Sequence, residues 1–397
     1  MKSLSSVINF LTMNNGKYVF SQLIEFLPQR VFDGFVAKYS GNKHIRHFTC
    51  WNQLLCMIFG QLTNRDSLRD LIVAIDAHSR KTYHLGFGKS VTRSNLAKAN
   101  ENRSSKIFEE YAYHLIAVAR RKRANDNFEI KGKVYAFDSS TIDLCLSVFW
   151  WAKFRKAKGG IKLHTLYDIT TQIPAFIHIT EAKVNDVNAM DLIPYESESY
   201  YIFDRGYIDF TRLHKITNHS AYFVIRAKSN LKFNRMYSNK VDKTTGVQCD
   251  QVGKLSGFYV SKQYPDKLRR VKFYDEETKR TFVFLTNNFQ LSAVHIALLY
   301  KNRWQVELFF KWIKQHLKIK CFWGTSENAV RIQIYTAIIA YCLVAIVGYD
   351  LKIDQSTYEI LQVLGISLLD KTPVNELFTN IDYKDVNELD YNQLLFS

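Results

Sequence analysis

Two short runs of apolar residues, each followed directly by an aspartate, constrain the fold more than any other feature of this sequence. Residues 134–137 lead into Asp138, and residues 200–203 lead into Asp204. A continuous apolar run of this length is typical of a central strand that is buried on both faces. Acids that follow such strands lie at the mouth of an α/β sheet, where sites form. The sequence therefore predicts an α/β domain with two carboxylates at one edge of its sheet.

A third acid lies on a helix that is predicted for residues 300–314. Four cationic or phenolic residues share an arc of about 80° with Glu307 on this helix: Tyr300, Arg303, Lys311 and Lys314. A helix with so many apolar residues is largely buried, and a buried glutamate is rare unless it is paired or binds a metal. Two interpretations of Glu307 stay open from the helix alone, a structural salt bridge or a place in a site.

Charge and composition narrow the function classes. The chain has 397 residues with a net charge of +17, which indicates a polyanionic partner, either nucleic acid or an anionic membrane. Its 47% of hydrophobic residues exclude a disordered chain. The six cysteines show no zinc-site spacing, and the N-terminus shows no signal-peptide pattern, so a cytoplasmic protein is expected. The apolar tract 334–349 is predicted to be a buried helix and not a membrane anchor.

The chain divides into regions of different pattern. Residues 1–126 are predicted to be helical, and the segments 51–62 and 67–77 form either a helix-turn-helix or a plain packing unit. From residue 131 the predicted order is β-β-β-α-β-α-β. A basic, β-rich tract with strands at 258–260, 269–274 and 281–285 fills 228–290, and Ser292 then caps the long helix. Residues 348–397 are predicted to be a C-terminal tail.

The three acids indicate metal chemistry on a phosphodiester. Carboxylates that converge at one sheet edge repel one another unless they are protonated or bridged by cations. Their hard oxygen atoms suit Mg²⁺ or Mn²⁺. Two such ions, roughly 3.5–4 Å apart, activate a water or a 3′-hydroxyl and stabilise the leaving oxygen. In a basic protein the expected substrate is a nucleic-acid backbone.

The motifs around these acids resemble those of bacterial insertion-sequence transposases of the DDE group. The matching segments are 134–141, 202–207 and the spacing Tyr300-x2-Arg303-x3-Glu307-x6-Lys314, and the similarity runs from about residue 131 to about residue 345. The resemblance implies a ribonuclease H-like core at 131–347, a mixed sheet that the β-rich insertion 228–290 interrupts. It also implies that Asp138, Asp204 and Glu307 bind two Mg²⁺ or Mn²⁺ ions.

The same resemblance assigns residues to DNA. It implies that Tyr300, Arg303 and Lys314 lie against DNA phosphates near the cut, and Arg205, beside Asp204, is assigned to the same DNA. Residues 17–75 resemble a helical domain that precedes such cores. Some relatives stack a flipped base on a tryptophan of the insertion during a hairpin step. Residues 228–290 contain no tryptophan, so a hairpin intermediate stays an open question.

The predicted function is DNA transposition: binding of terminal inverted repeats, metal-dependent cleavage, and joining of the ends to target DNA. A homodimer on double-stranded DNA, at the nucleoid of a prokaryote and away from membranes, is expected. The alternatives are a ribonuclease H-like nuclease without strand transfer and a catalytically silent DNA-binding repressor. Weaker candidates are the pair His164 and Asp168, for which a structural role is favoured, and Trp150-Trp151 with the basic residues 153–158, either a DNA-contacting loop or a core aromatic pair.

Overall fold

The computed structural model describes residues 16–88, 91–124, 130, 132–145, 147–155, 158–316, 319 and 322–379. They form two compact units. The first comprises the described parts of Met1–Arg123, Ile142–Gly160 and Phe310–Tyr383, and the second those of Ala124–Thr141 and Ile161–Phe309. Residues 380–397, the end of the predicted C-terminal tail, lie outside the described residues.

Helices occupy both ends of the described chain, and strands predominate in its middle. In chain order, the α-helices are α1 Val19–Ile24, α2 Gln29–Lys38, α3 Cys50–Leu62, α4 Leu68–Ala77, α5 Arg93–Asn102, α6 Ser105–Arg123, α7 Phe210–Asn218, α8 Phe258–Gln263, α9 Ala293–Lys301, α10 Trp304–His316, α11 Glu327–Asp350 and α12 Thr357–Ser367. The strands are β1 Val134–Leu144, β2 Lys153–Arg155, β3 Lys158–Asp168, β4 Ile173–Glu181, β5 Tyr200–Phe203, β6 Tyr222–Arg226, β7 Phe233–Asn239, β8 Val247–Leu255, β9 Leu268–Asp275 and β10 Arg280–Thr286. Short 3₁₀ helices occupy Ser79–Lys81, Asp186–Leu192, Arg205–Tyr207, Lys243–Thr245 and Val374–Phe378.

The first unit is built around the apolar helix α11. All its residues from Ala329 to Gly348 except Arg331 are buried, and it packs against α6 and α3. By length and composition α11 would suffice to cross a membrane, but 94% of its most apolar window is buried inside the protein. The prediction of a buried helix at 334–349 is therefore confirmed.

The second unit is built on one mixed sheet. Its described strands lie in the order β4-β3-β1-β5-β6-β10-β9-β8-β7. Strands β1, β5 and β6 run parallel to one another, and β10 pairs with β6 antiparallel. The tract 228–290, expected as an insertion, therefore extends the central sheet through β10 and ends in the edge strand β7.

The register of the parallel strands decides which way the carboxylates point. Phe137 lies opposite Phe203, and both belong to the buried cluster that packs against α7. Successive side chains in a strand alternate between faces. Asp138 follows Phe137 and Asp204 follows Phe203, so both aspartates point to the opposite side of the sheet. Helix α9 covers that side, where it contacts β5, β6 and β9.

Two local predictions were wrong. Strand β1 does not end at Asp138 but continues to Leu144. Residues 258–260 form the start of α8 and not a strand. Gly257 turns the chain with φ +147°, after which Val260 packs on the core while Phe258 and Tyr259 face solvent.

Two strands of the β-rich tract were missed altogether. Residues of β7 after Phe233 are exposed on both faces, so the strand lacks the alternation of apolar and polar residues by which strands are recognised. In strand β8 the charged Asp250 occupies a buried position, where it pairs with Arg269 of β9, so the apolar pattern of a strand is broken there. Pairing with neighbouring strands, and not local composition, holds this ribbon in place.

Candidate active site

Two of the predicted acids meet at one sheet edge. Asp138 and Asp204 follow residues that are in register on adjacent parallel strands, so their carboxylates leave the sheet side by side. The Asp138 carboxylate accepts a hydrogen bond from the backbone N–H of Ser139 at 2.8 Å. The first prediction, two carboxylates at one edge of an α/β sheet, matches this geometry.

The expected long helix is broken in two just where the third acid approaches. Ser292 caps α9 by accepting a hydrogen bond from the N–H of His295, but α9 ends at Lys301 and α10 begins at Trp304. Between them the N–H of Arg303 donates to the carbonyl of Tyr300 at 3.0 Å, a bond over three residues and therefore tighter than an α-turn. A continuous helix from 300 to 314 was thus the wrong expectation.

Two side chains from this break reach the carboxylates. The Tyr300 hydroxyl donates to Asp204 Oδ1 at 3.2 Å. The Arg303 guanidinium donates to Asp138 Oδ2 at 3.2 Å through one nitrogen and to Glu307 Oε1 at 2.5 Å through another. Arg303 therefore joins the acid on the helix to an acid on the sheet.

Glu307 is not buried, contrary to expectation. Its side chain is 54% exposed, while the Arg303 and Asp138 side chains are 16% and 22% exposed. Helix α10 is amphipathic: it buries Val306 and Phe309 on one face and presents Glu307 on the other. An exposed carboxylate on a helix surface is not fixed by packing, so its position depends on Arg303.

The charges at this edge affect one another. Burial, and then the nearby Glu307 and Asp204 carboxylates, raise the pKa of Asp138 to about 6 against the opposing influence of Arg303. Burial raises the pKa of Tyr300 to about 12. Burial opposes the charge of Arg303, but Tyr300, Glu307 and Asp138 together raise its pKa. The site thus balances one buried cation against several acids.

Sequence reasoning missed two residues of this site. Arg226 is the neighbour of Asp204 on β6, because Phe203 is in register with Ile225, and its charge lowers the pKa of Tyr300. Asp138, Asp204 and Arg226 thus occupy equivalent positions on three adjacent parallel strands. That shared position, the first residue after an apolar strand run, was a signal in the sequence.

Tyr207 is the second missed residue. It is 4% exposed, and its ring centroid lies 5.3 Å from that of Phe137 and 6.0 Å from that of Phe203. Both are the residues that directly precede the two aspartates. Burial, and then the charge of Asp138, raise its pKa. Tyr207 therefore packs behind both carboxylates at once.

Arg205 and Lys314 are the remaining predicted DNA contacts. Arg205 is exposed in the 3₁₀ turn directly after Asp204. Lys314 is partly exposed on α10 and belongs to the first unit. Their contact with DNA stays a prediction.

The weaker candidates have structural surroundings. Buried His164 bonds Thr180 Oγ1 at 2.9 Å, and Asp168 accepts hydrogen bonds from Thr170 and Thr171 in the β3–β4 turn. Trp150 is 73% exposed and is not half of a core pair. Trp151 donates from Nε1 to the carbonyl of Thr325 at 2.8 Å. Residues 156–157 and the side chains of 153–155 and 158 lie outside the described part of the chain.

The donor set suits a divalent cation by its chemistry, since three carboxylates supply hard oxygen ligands. Burial is the largest cause of the raised pKa of Asp138, and the Glu307 and Asp204 carboxylates add to it, so a cation bound beside Asp138 would favour its charged form. Within the described residues, however, no three acidic, histidine or cysteine side chains are gathered tightly enough to hold one ion. The Arg303 guanidinium lies between the Asp138 and Glu307 carboxylates and bonds to both.

Comparison with known proteins gives this geometry a context. A family model described as a transposase DDE domain matches residues 129–343, which is more than half of the chain and includes all three acids. A second model, described as a domain of unknown function, matches residues 15–88.

Curated relatives carry names that assign them, some provisionally, as transposases. A protein of Sinorhizobium fredii, y4zB, is 38% identical over 273 residues, which is 67% of this chain and 74% of the relative. The insertion-sequence IS5377 protein of Geobacillus stearothermophilus is 32% identical over 52% of this chain and 54% of its own length. The IS4SA protein of Synechocystis is 26% identical over 64% of this chain and 72% of its own length. The chain thus belongs to the family of insertion-sequence transposases with a DDE domain.

Proposed function

We propose that this transposase binds the terminal inverted repeats of its own insertion sequence, cleaves the DNA there by divalent-metal phosphodiester hydrolysis, and joins the ends to target DNA. One observation carries the proposal: Asp138 and Asp204 leave adjacent parallel strands in register, and Arg303 ties Glu307 to Asp138. The family membership and the net charge of +17 support the same conclusion.

In this proposal Asp138, Asp204 and Glu307 hold two Mg²⁺ or Mn²⁺ ions. When bound, such ions activate an attacking water or 3′-hydroxyl and neutralise charge on the leaving oxygen. Tyr300 orients Asp204 through its hydroxyl, and Arg303 orients Glu307 and offers a buried charge to a DNA phosphate. Lys314 and Arg205 contribute further phosphate contacts.

The proposal also covers the setting of the reaction. The sheet with α9 and α10 corresponds to a ribonuclease H-like core, and the N-terminal helices of residues 1–126 bind DNA. The active species on DNA is a homodimer that works in the cytoplasm on nucleoid DNA. A nuclease without strand transfer, or a silent repressor, remains the alternative that an experiment must separate from it.

The test is cleavage of duplex DNA that carries the element end. Asp138→Ala, Asp204→Ala and Glu307→Ala should each abolish cleavage in Mg²⁺ while DNA binding is retained. Asp143→Ala is the matched control, because Asp143 is exposed on the same strand as Asp138. Full cleavage by any of the three variants would remove that acid from the site.

A second assay separates the alternatives. Protein, Mg²⁺ and end DNA are incubated with a target plasmid, and joined products are sought. A joined product supports transposition, whereas cleavage without joining identifies a nuclease. Binding of end DNA by the wild-type protein without any cleavage identifies a repressor.

A further inference from the structure

The sheet of the second unit has a basic surface on the side that faces away from the carboxylates. The inner part of that side is covered by α7 and α8, which pack on Leu255, Leu268 and Leu285. Toward the edge strand β7 the covering ends. We call the uncovered residues Arg235, Gln251, Arg270 and Lys272 the open face.

Strand register puts these residues on one side. Arg235 lies opposite Gly253, which lies opposite Leu268, and Gln251 lies opposite Arg270. Residues that are directly opposite share a face, and so do residues two apart in one strand. Leu268, Arg270 and Lys272 of β9 therefore point the same way, and Arg235 of β7 points with them.

The guanidinium of Arg270 is held in place by neutral groups. It donates from Nε to Gln251 Oε1 at 3.1 Å, with a second bond from Nη2 to the same oxygen. It also lies 4.7 Å from the centroid of the Phe233 ring. That ring rests over Gly253, where an added Cβ would come within 2.8 Å of it. Arg270 is thus positioned without its charge being neutralised.

The cations of the open face form no ion pair with a carboxylate in the described part of the chain. Asp250 is the neighbour of Gln251 and so points to the other side, where it forms a buried pair with Arg269 at 2.8 Å. Of the residues that the structure describes, none forms an ion pair with Arg235, Arg270 or Lys272. Arg235 and Lys272 are exposed, and Arg270 is half-buried.

We infer that the open face binds the phosphate backbone of duplex DNA at a place separate from the carboxylate edge. The inference rests on the proposed function for its choice of polyanion. Arg270 and Lys272 are about 7 Å apart along β9, and β7 lies about 10 Å from β9. With one phosphate per 3.4 Å of rise in each strand, roughly three phosphates of one strand fit this span. A second DNA surface would let the protein hold DNA beyond the segment that it cuts.

The test measures binding of a short fluorescent duplex of unrelated sequence in EDTA over a series of NaCl concentrations. The triple variant Arg235→Ala, Arg270→Ala, Lys272→Ala should lower the slope of log K against log salt concentration by about 2 to 3, one unit per lost phosphate contact. The matched control is Lys243→Ala, Lys279→Ala, Arg280→Ala. It removes the same charge from exposed residues at the opposite end of the tract, near Asp275, Glu276 and Glu277.

The control triple should change the slope by less than about 1. Equal losses in both triples would show a general effect of net charge and would overturn the inference. So would an unchanged slope in the first triple, or a change in its oligomeric state without DNA, which would make the open face a protein interface. If the triple variant misfolds, Arg235→Ala with Lys272→Ala should lower the slope by about 2.

These outcomes are separate from the test of the proposed function. The binding assay needs no metal and no cleavage, so its result does not depend on the three acids. If the wild-type protein cleaves end DNA but the triple variant has an unchanged salt slope, the inference about the open face is refuted and the proposed function is not. Failure of the wild-type protein to bind any DNA refutes both proposals.

Discussion

Arg303 shows how one side chain can satisfy two interpretations that looked like alternatives. Its bond to Glu307 is the salt bridge across one helical turn that helix geometry alone suggests. The same guanidinium also bonds Asp138, a residue 165 positions away in the chain. The salt bridge is therefore compatible with the proposed place of Glu307 in a site, because the guanidinium that bonds Glu307 also bonds Asp138 at the sheet edge.

The partly buried carboxyl group of Asp138 should lower the free energy of unfolding of the metal-free protein. Its pKa of about 6 lies above the ordinary value of 3.8, so the folded protein binds this proton more tightly than the unfolded chain does. Stability from this group therefore falls as the pH rises from about 4 to about 6 and stays low above it. Asp138→Asn removes the charge and should stabilise the metal-free protein by about 3 kcal/mol at pH 7.

Thermal unfolding in EDTA at pH 7 and at pH 4 measures this difference. The advantage of Asp138→Asn should shrink at the lower pH, while Asp143→Asn, on the exposed part of the same strand, should give no such change. Adding Mg²⁺ should raise the unfolding temperature of the wild-type protein and not that of Asp138→Asn. An Asp138→Asn protein that is less stable at pH 7 would contradict the argument.

Two substitutions of Tyr207, which packs behind the two aspartates, can separate the contribution of its ring from that of its hydroxyl. Among the described residues its buried hydroxyl makes no hydrogen bond of full geometry, although the Ser139 side chain is near enough to lower its pKa against the effect of burial. A buried hydroxyl in this situation costs about 1–3 kcal/mol. Tyr207→Phe should therefore raise the free energy of unfolding by about 1 kcal/mol. Tyr207→Ala should lower it by about 3–5 kcal/mol, because the ring packs on both Phe137 and Phe203. Urea unfolding measures both, and a destabilised Tyr207→Phe would show that the hydroxyl has a partner after all.

At the scale of elements, the parallel strands and the α9–α10 break build the site together. Register across β1, β5 and β6 aligns Asp138, Asp204 and Arg226 in one row. The tight turn between α9 and α10 then lets Tyr300 and Arg303 reach different members of that row. A straight helix was expected from periodicity alone, which carries no information about the carboxylates that these two side chains contact.

The β8–β9 pair carries an element-scale prediction. Arg269 donates to both oxygens of Asp250, at 2.8 and 2.9 Å, and to the carbonyl of Leu291 just before α9. Both charged side chains are almost fully buried, with exposures of 5% and 6%. Asp250→Ala should therefore cost about 3–5 kcal/mol, because it leaves Arg269 buried without its counter-ion.

Denaturant unfolding with the wild-type protein as reference tests this cost. The matched control is Asp266→Ala, an exposed acid that makes a surface contact with His214 at 3.0 Å, and it should change stability by no more than about 0.5 kcal/mol. A loss below about 1 kcal/mol for Asp250→Ala would mean that water reaches Arg269 or that the strands rearrange around it.

At the scale of the whole molecule, the number of carboxylate sites limits how many DNA ends one chain can cut in the proposed reaction. Each chain has one such candidate site in its described residues, so two transposon ends require two chains. Sedimentation of the protein with end DNA, in EDTA, should give a complex that contains two protomers. A complex with one protomer per end, never pairing at any concentration, would contradict the proposed homodimer.

Local pattern was enough to predict the buried strands that lead into Asp138 and Asp204, and the resemblance of the motifs was enough to predict the family of the chain. Short apolar runs need burial on both faces whatever surrounds them, so β1 and β5 and the positions of Asp138 and Asp204 followed from local pattern. Tertiary contacts set the break before α10, the exposure of Glu307, the bridge by Arg303 and the ribbon of β7 and β8. Each of these depends on partners far away in the chain, and periodicity carries no information about which distant residues will meet.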